Sequence, residues 1–355
     1  MKQYFLGILF IGFLLSNSTR AWSAKEDHLD SIVVDGGVRT YLLYVPDNVK
    51  TPAPLVFSLH GTGGHATDKS PFRSSIADGE GCIVVYPQGK KIYFPVFGGS
   101  FPGWHSTGDT SEDIDFFRAV IDEVGKRYSI DRKRIYCCGF SNGGMMTYTV
   151  ANVASNIFAA FASISGYPIN EFHLHHTGAR PVPFLHIHGK ADNFVKYIYV
   201  PKIVDDMVAR NGAVPVPKKT SVLGKYDKSV YGATSGGFPY VFYEIDGMGH
   251  NDYTTNTEDG NSALTMWKFM SQYTLETPCD ITLKWRPNVE TPNWNPESHG
   301  WTVNKGNILL GFGAEQQTSQ NQNVYRSLQL ENGKYKLCFH ADGDTRKQIT
   351  VNLCK

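Results

Sequence analysis

Three residues can do nucleophilic chemistry if the chain brings them together: Ser141, Asp192 and His250. A serine hydroxyl is a weak nucleophile until a base takes its proton, and an imidazole serves as that base when a carboxylate fixes its tautomer. Ser141 stands in Gly139-Phe140-Ser141-Asn142-Gly143-Gly144. A G-x-S-x-G run between a strand and a helix is a sharp turn that lifts the hydroxyl above the sheet edge, and the positions two before and two after it must lack a Cβ. Asp192 closes His188-Gly189-Lys190-Ala191-Asp192, and His250 lies in Gly247-Met248-Gly249-His250-Asn251. Both loops follow short apolar runs, so both residues are expected at carboxyl ends of strands, where open α/β sheets bind their ligands. Asp205 and Asp246 are weaker substitutes for the acid, and no other histidine after Asp192 sits in an equally suitable loop.

An attacked carbonyl needs donors for its developing negative charge. Leu59-His60-Gly61-Thr62-Gly63-Gly64 follows another apolar run. Gly61 and Gly63 let the main chain approach a substrate closely, so the amides of Thr62 and Asn142 are expected to form an oxyanion hole, each donor worth about 3 kcal/mol of barrier. His60 is expected to be a structural hydrogen-bonding residue rather than a second base. Trp104, on a Gly- and Pro-rich loop, is expected to wall the acyl pocket, against the alternative of a core anchor. The cluster His173, His175 and His176 has no carboxylate support nearby and reads as an exposed lid loop, and no zinc spacing is present, so no metal is expected.

The elements that must position these residues follow from hydropathy. Runs at 31–34 and 39–45 read as an antiparallel lead-in hairpin, and 55–59 and 83–86 as buried parallel strands. Further strands are expected at 158–164, 182–187 and 240–245, and helices at 111–127, 145–153, 201–211 and 261–273. Strands alternating with helices imply an α/β fold with a doubly wound, mostly parallel sheet. Residues 25–278 form this unit, and near Cys279 the chain turns Gly-, Asn- and Gln-rich with short alternating runs. Residues 280–355 are therefore expected to be a small C-terminal β-sandwich-like domain.

Residues 1–24 read as a signal peptide: Lys2, an apolar stretch from Phe5 to Leu15, then a small-residue cleavage site near Ala24. The apolar stretch is short for a span, so an exported protein, extracellular or periplasmic and free of the membrane after cleavage, is expected. A net charge of +1 gives no electrostatic reason to expect nucleic acid or an acidic membrane as partner. Export permits disulfides, yet Cys137 and Cys138, adjacent on one strand, are expected as buried thiols, while Cys279, Cys338 and Cys354 leave a pairing in the last quarter open.

Several stretches together resemble the carbohydrate esterase family 1 and polyhydroxybutyrate-depolymerase-like branch of the α/β hydrolases. They are Arg39-Thr40-Tyr41-Leu42-Leu43-Tyr44-Val45-Pro46, Leu59 to Gly64, Tyr86-Pro87-Gln88-Gly89 and Gly103-Trp104, followed by Asp113-Ile114-Asp115-Phe116, Gly139 to Met146 and His188 to Asp192. The resemblance spans about residues 30–275. It departs at Gln88, where such proteins often carry Asp, and after His250, where Asn251-Asp252-Tyr253 replaces the common Pro or Trp. The resemblance implies an α/β-hydrolase fold and a serine esterase without metal or organic cofactor. Its expected substrate and partner is plant cell-wall polysaccharide, feruloylated or acetylated xylan. The expected order is feruloyl esterase, then acetylxylan esterase, then a depolymerase of polyhydroxybutyrate-type polyesters. The rival of a different class is a non-catalytic glycan-binding protein on a hydrolase fold, which intact Ser141, Asp192 and His250 disfavour. Trp285, Trp294, Trp301, Tyr325 and Tyr335 among Asn and Gln suit sugar faces, and the segment from Val324-Tyr325-Arg326-Ser327-Leu328 through Gly333-Lys334-Tyr335 resembles galactose-binding-like β-sandwich modules. A glycan-binding, sorting or purely structural role is open for the C-terminal module.

Overall fold

The computed structural model describes residues 26–107, 110–168, 181–234 and 236–275, and beyond these only the course of several strands. In chain order the elements are β1 (Glu26–Val34), β2 (Gly37–Val45), β3 (Ala53–Leu59), α1 (Ser74–Glu80), β4 (Ile83–Pro87), β5 (Lys90–Phe94) and β6 (Gly99–Gly103). Then come α2 (Ser111–Arg127), β7 (Ile130–Phe140), α3 (Asn142–Val153), β8 (Ala160–Ile164), β9 (Phe184–Gly189) and α4 (Val200–Arg210). β10 (Lys218–Val222), β11 (Tyr226–Tyr231), β12 (Tyr240–Ile245) and α5 (Ser262–Met270) complete this part.

These strands build a ten-stranded sheet in the order β1-β2-β4-β3-β7-β8-β9-β12-β11-β10. The stretch from β4 to β12 is parallel throughout, and the flanking strands pair antiparallel. β3, β4, β8 and β9 are buried along their whole length because helices cover both faces, which is why they read as unbroken apolar runs rather than alternating ones. The pleat sends Cys137 to one face, with Phe57, Leu43 and the apolar sides of α2, α3 and α4, and Cys138 to the other, with Val56, Tyr44 and α5. Both thiols are free and buried, and burial raises both, that of Cys137 to about 12, so neither is a nucleophile at neutral pH.

Two hairpins were not foreseen. β5 pairs with β6, and β10 with β11 at the sheet edge. β10 is Lys-Lys-Thr-Ser-Val and mostly exposed, the composition an unpaired edge requires, so it carries no apolar signal. Helix α3 begins at Asn142 rather than near 145, because Ser141 is itself its N-cap residue.

A buried ion pair ties the lead-in hairpin to α2. Arg39 Nη2 donates to Asp113 Oδ1 at 2.8 Å, and Asp113 Oδ2 accepts the His105 amide at 2.9 Å and the His105 ring Nδ1–H at 3.1 Å. Burial alone would raise the Asp113 carboxyl, but the His105 hydrogen bonds and the Arg39 charge hold it below its ordinary value; the bond to Asp113 raises the His105 imidazole against its burial. The lowered carboxyl contributes stability above the ordinary carboxylate range and loses it as pH falls. The raised imidazole contributes below the ordinary imidazole range and loses it as pH rises through the raised value. Asp113→Ala is expected to remove about 3–5 kcal/mol of folding stability, because it strands a buried guanidinium, and to flatten both limbs of stability against pH. Denaturant unfolding between acid and neutral pH checks this; a loss under about 1 kcal/mol contradicts it.

Beyond residue 280, β13 (Ile281–Trp285) pairs with β14 (Trp301–Lys305). β15 (Gln316–Gln317), β16 (Asn323–Glu331), β17 (Lys334–Ala341) and β18 (Lys347–Thr350) form an antiparallel sheet. The leader expected at 1–24, the boundary at 279, the cluster of His173, His175 and His176, and the residues Cys279 and Cys354 lie outside the described residues, so the pairing in the last quarter stays open.

Candidate active site

Ser141 follows β7 directly and has φ 53° and ψ −119°, a conformation non-glycine residues rarely adopt. The turn is this tight because neighbouring main chain closes on it. A Cβ at Gly139 would lie 2.1 Å from Gly143 O, and one at Gly143 would lie 2.2 Å from Leu59 O, so both positions flanking the serine admit glycine alone. The Ser141 amide donates to Ile164 O of β8 at 3.1 Å, which locks the elbow to the sheet.

Asp192 lies in the turn after β9, and its carboxylate is held from several sides. Oδ1 accepts the amides of Phe194 and Val195, each at 2.9 Å, and Oδ2 accepts the Nδ1–H of His250 at 2.8 Å. The opposite ring nitrogen of His250, Nε2, accepts the Ser141 hydroxyl at 2.9 Å. The loops carrying Asp192 and His250 are joined: the Lys190 amide donates to Ile245 O and the Ala191 amide to Met248 O, both at 3.0 Å. Ser165 Oγ donates to Asn251 O at 3.0 Å, and Asp252 accepts Arg73 at 2.7 Å and the Ser70 hydroxyl, which anchors the far side of the His250 loop. Of the substitute acids, Asp246 pairs with Lys190 at 2.7 Å and Asp205 lies on α4.

The glycine-rich loop after β3 rests on the elbow. A Cβ at Gly61 would meet the Phe140 ring at 2.9 Å, while Gly63 has φ 78° and donates its amide to Pro102 O at 2.8 Å. Among the described residues no hydrogen bond takes up the main-chain amide of Thr62 or of Asn142. The Asn142 side chain instead ties down the neighbouring loop: Oδ1 accepts the Trp104 amide at 2.7 Å and Nδ2 donates to Ser106 Oγ at 3.2 Å. His60 donates Nδ1–H to Gly61 O at 2.7 Å and accepts the Gly89 amide at Nε2 at 2.9 Å, the structural part expected of it. Burial keeps that imidazole below its ordinary value, in its neutral form. Gln88 has a structural task as well, its Oε1 accepting the Ala66 amide at 3.0 Å.

Trp104 corrects an expectation. It is 1% exposed, donates Nε1–H to His60 O at 2.9 Å and packs against the His60 and Phe117 rings. An indole so covered cannot wall a pocket; it anchors the glycine-rich loop after β3 from beneath. The exposed aromatics are others. The Phe194 ring centroid lies 4.9 Å from that of His250, and Phe97, on the turn between β5 and β6, stacks on Phe194 at 5.7 Å and 11°. Phe94 and Phe101 pack edge-on to Phe97. Their sequence signal was weak, because Phe97 and Phe194 lie nearly a hundred positions apart in irregular segments. The sequence carries a stronger signal at His186 and His188, which alternate on one buried strand and so share a face.

A mostly parallel sheet, a strained serine between strand and helix, and an aspartate and a histidine on loops after later strands are the marks of an α/β-hydrolase fold. Residues 44–209 match the family model described as Phospholipase/Carboxylesterase. The chain is similar to the bifunctional acetylxylan esterase/xylanase of Neocallimastix patriciarum, 29% identical over 275 residues, which are 75% of this chain and 37% of that protein. It thus spans little more than a third of that relative. It is also similar to feruloyl esterase B of Talaromyces funiculosus, 24% identical over 61% of this chain and 69% of that protein. Among solved structures, the acetyl xylan esterase from Aspergillus awamori superposes with a TM-score of 0.51 at 18% identity, over 69% of this chain and 99% of that one, a likeness of fold.

Proposed function

We propose that the protein is a secreted serine esterase that cleaves feruloyl esters on plant cell-wall xylan. The observation that carries this reading is the unbroken hydrogen-bond line from Asp192 through His250 to Ser141. Ser141 Oγ attacks the ester carbonyl carbon while its proton passes to His250 Nε2, and Asp192 steadies the imidazolium through Nδ1–H. The carbonyl oxygen becomes an alkoxide received by the Thr62 and Asn142 amides, with the positive end of α3 behind them. Collapse expels the sugar oxygen, which takes the proton from His250, and leaves an acyl group on Ser141. Water, deprotonated by His250, then attacks the acyl-enzyme and releases the free acid.

Aromatic side chains beside the imidazole favour a feruloyl over an acetyl group. Phe194 and Phe97 offer faces on which a phenolic ring can stack, and an acetyl group gains nothing from them. The names of the relatives support a carbohydrate ester as substrate. Assays of methyl ferulate, p-nitrophenyl acetate and acetylated xylan, run side by side, test the reading. Cleavage of the acetyl esters alone would move the assignment to acetylxylan esterase, and xylan binding without any hydrolysis would favour the glycan-binding alternative. Phe194→Ala and Phe97→Ala are each expected to lower kcat/KM on methyl ferulate about tenfold, the worth of one aromatic contact, and on p-nitrophenyl acetate by under about twofold. Equal losses on both esters would remove these rings from acyl recognition.

A further inference from the structure

Behind Asp192, away from His250, four buried side chains continue the polar line into the core. His188 Nε2 lies 2.8 Å from Val195 O and 3.5 Å from Asp192 Oδ2. His188 Nδ1 lies 3.1 Å from His186 Nε2, and His186 Nδ1 lies 2.8 Å from the Tyr148 hydroxyl and 3.2 Å from that of Tyr240, the two hydroxyls being 2.8 Å apart. His186 and His188 are both fully buried.

The proton positions follow from the acceptors. A carbonyl oxygen only accepts, so His188 carries its proton on Nε2 and gives it to Val195 O. Neutral His188 then has a bare Nδ1, which requires His186 to donate from Nε2. That leaves His186 Nδ1 bare, to accept an O–H from Tyr148 or Tyr240, whose hydroxyls also share a hydrogen bond in which either can donate. With a hydroxyl donor on Nδ1 from either tyrosine, His186 keeps its proton on Nε2, facing His188.

We infer that His188 is a positioning residue for the catalytic acid, held neutral and in one tautomer by the chain Tyr240, Tyr148 and His186. His188 braces the turn from Asp192 to Val195, whose amides align the carboxylate, without taking the carboxylate charge from His250. This inference rests on the serine-esterase reading of Ser141, His250 and Asp192. A protonated His188 would instead pair with Asp192 and compete with His250. Protonation requires a bare nitrogen opposite Nδ1, which the chain denies. Other groups around the two rings are few. Tyr167 and Tyr197 face His188, Tyr197 bonded to Glu244, and Phe242 faces His186, while Arg210 acts on Tyr148 from α4. Burial lowers both imidazoles, that of His186 strongly; for His188, Val195 O and Asp192 pull upward and His250 downward.

The double variant Tyr148→Phe and Tyr240→Phe keeps the core volume and frees His186 to change tautomer. On p-nitrophenyl acetate its kcat at mildly alkaline pH is expected within about threefold of wild type. On the acid side a second proton should now inhibit, steepening the fall of kcat/KM to about a hundredfold per pH unit instead of about tenfold. His186→Gln, whose amide can donate to His188 and accept from Tyr148, should keep the wild-type profile. Profiles of the double variant and wild type that superimpose after scaling would overturn the inference, as would loss of the wild-type shape in His186→Gln. Imidazole nitrogen spectra of the full wild-type chain test it without any substitution: both rings should stay neutral with the proton on Nε2 from weakly acid to neutral pH. A proton on His188 Nδ1 in that range refutes it. Because the spectra need no substrate, they separate a failure of this inference from a failure of the esterase reading.

Discussion

Replacing Ser141 with alanine is expected to lower kcat on methyl ferulate or p-nitrophenyl acetate by about 10⁵-fold or more, with the fold intact. In the proposed mechanism the hydroxyl is the atom that bonds to substrate, and neither the base nor the oxyanion donors substitute for it; what survives is the modest acceleration that binding and the donors supply to water. The elbow adds a second, independent readout. At φ 53° any side chain with a Cβ is strained, so Ser141→Gly should be more stable than Ser141→Ala by about 1 kcal/mol. Comparing turnover and thermal unfolding of the two variants separates chemistry from folding. Residual activity above about a hundredth of wild type would remove Ser141 from the nucleophile's place.

Asp192→Asn is expected to lower kcat about 10⁴-fold, and the direction follows from the carboxylate's partners. Oδ1 accepts two main-chain amides, from Phe194 and Val195, so the asparagine carbonyl oxygen must take that position. Its NH₂ is then forced to face His250 Nδ1, where it donates to a bare nitrogen and drives the imidazole proton to Nε2. In that tautomer His250 cannot accept the Ser141 hydroxyl proton. Asp246→Asn breaks only a partly exposed pair with Lys190 and should leave turnover within about twofold. Steady-state kinetics of both variants decide the matter, and a loss under about tenfold in Asp192→Asn would return the acid's role to another residue.

Much of this architecture was legible in local pattern. The helix 111–127 matches α2 end for end, since its apolar residues repeat at helical spacing and Glu112 and Asp113 open it. The buried strands announced themselves as apolar runs because a covered sheet leaves no face to make polar. The serine elbow was readable because steric exclusion at Gly139 and Gly143 is a constraint on residue type, written directly into the chain. Edge strands β5, β6 and β10 were not readable, since solvent on one side tolerates almost any side chain.

By itself, then, the amino-acid order determined what short-range physics controls: where strands and helices fall, where only glycine fits, and which serine, aspartate and histidine end up on loops after strands. Tertiary structure alone decided what depends on distant partners. It set β12 beside β9 although two other strands precede it, which brings His250 onto Asp192. It turned Trp104 inward, because an indole gains more from burial with one hydrogen bond than from exposure, and it left Phe97 and Phe194 outside to stack beside the imidazole. Which aromatic is buried and which faces solvent depends on the volume left by residues far away in the chain, and no local window contains that volume.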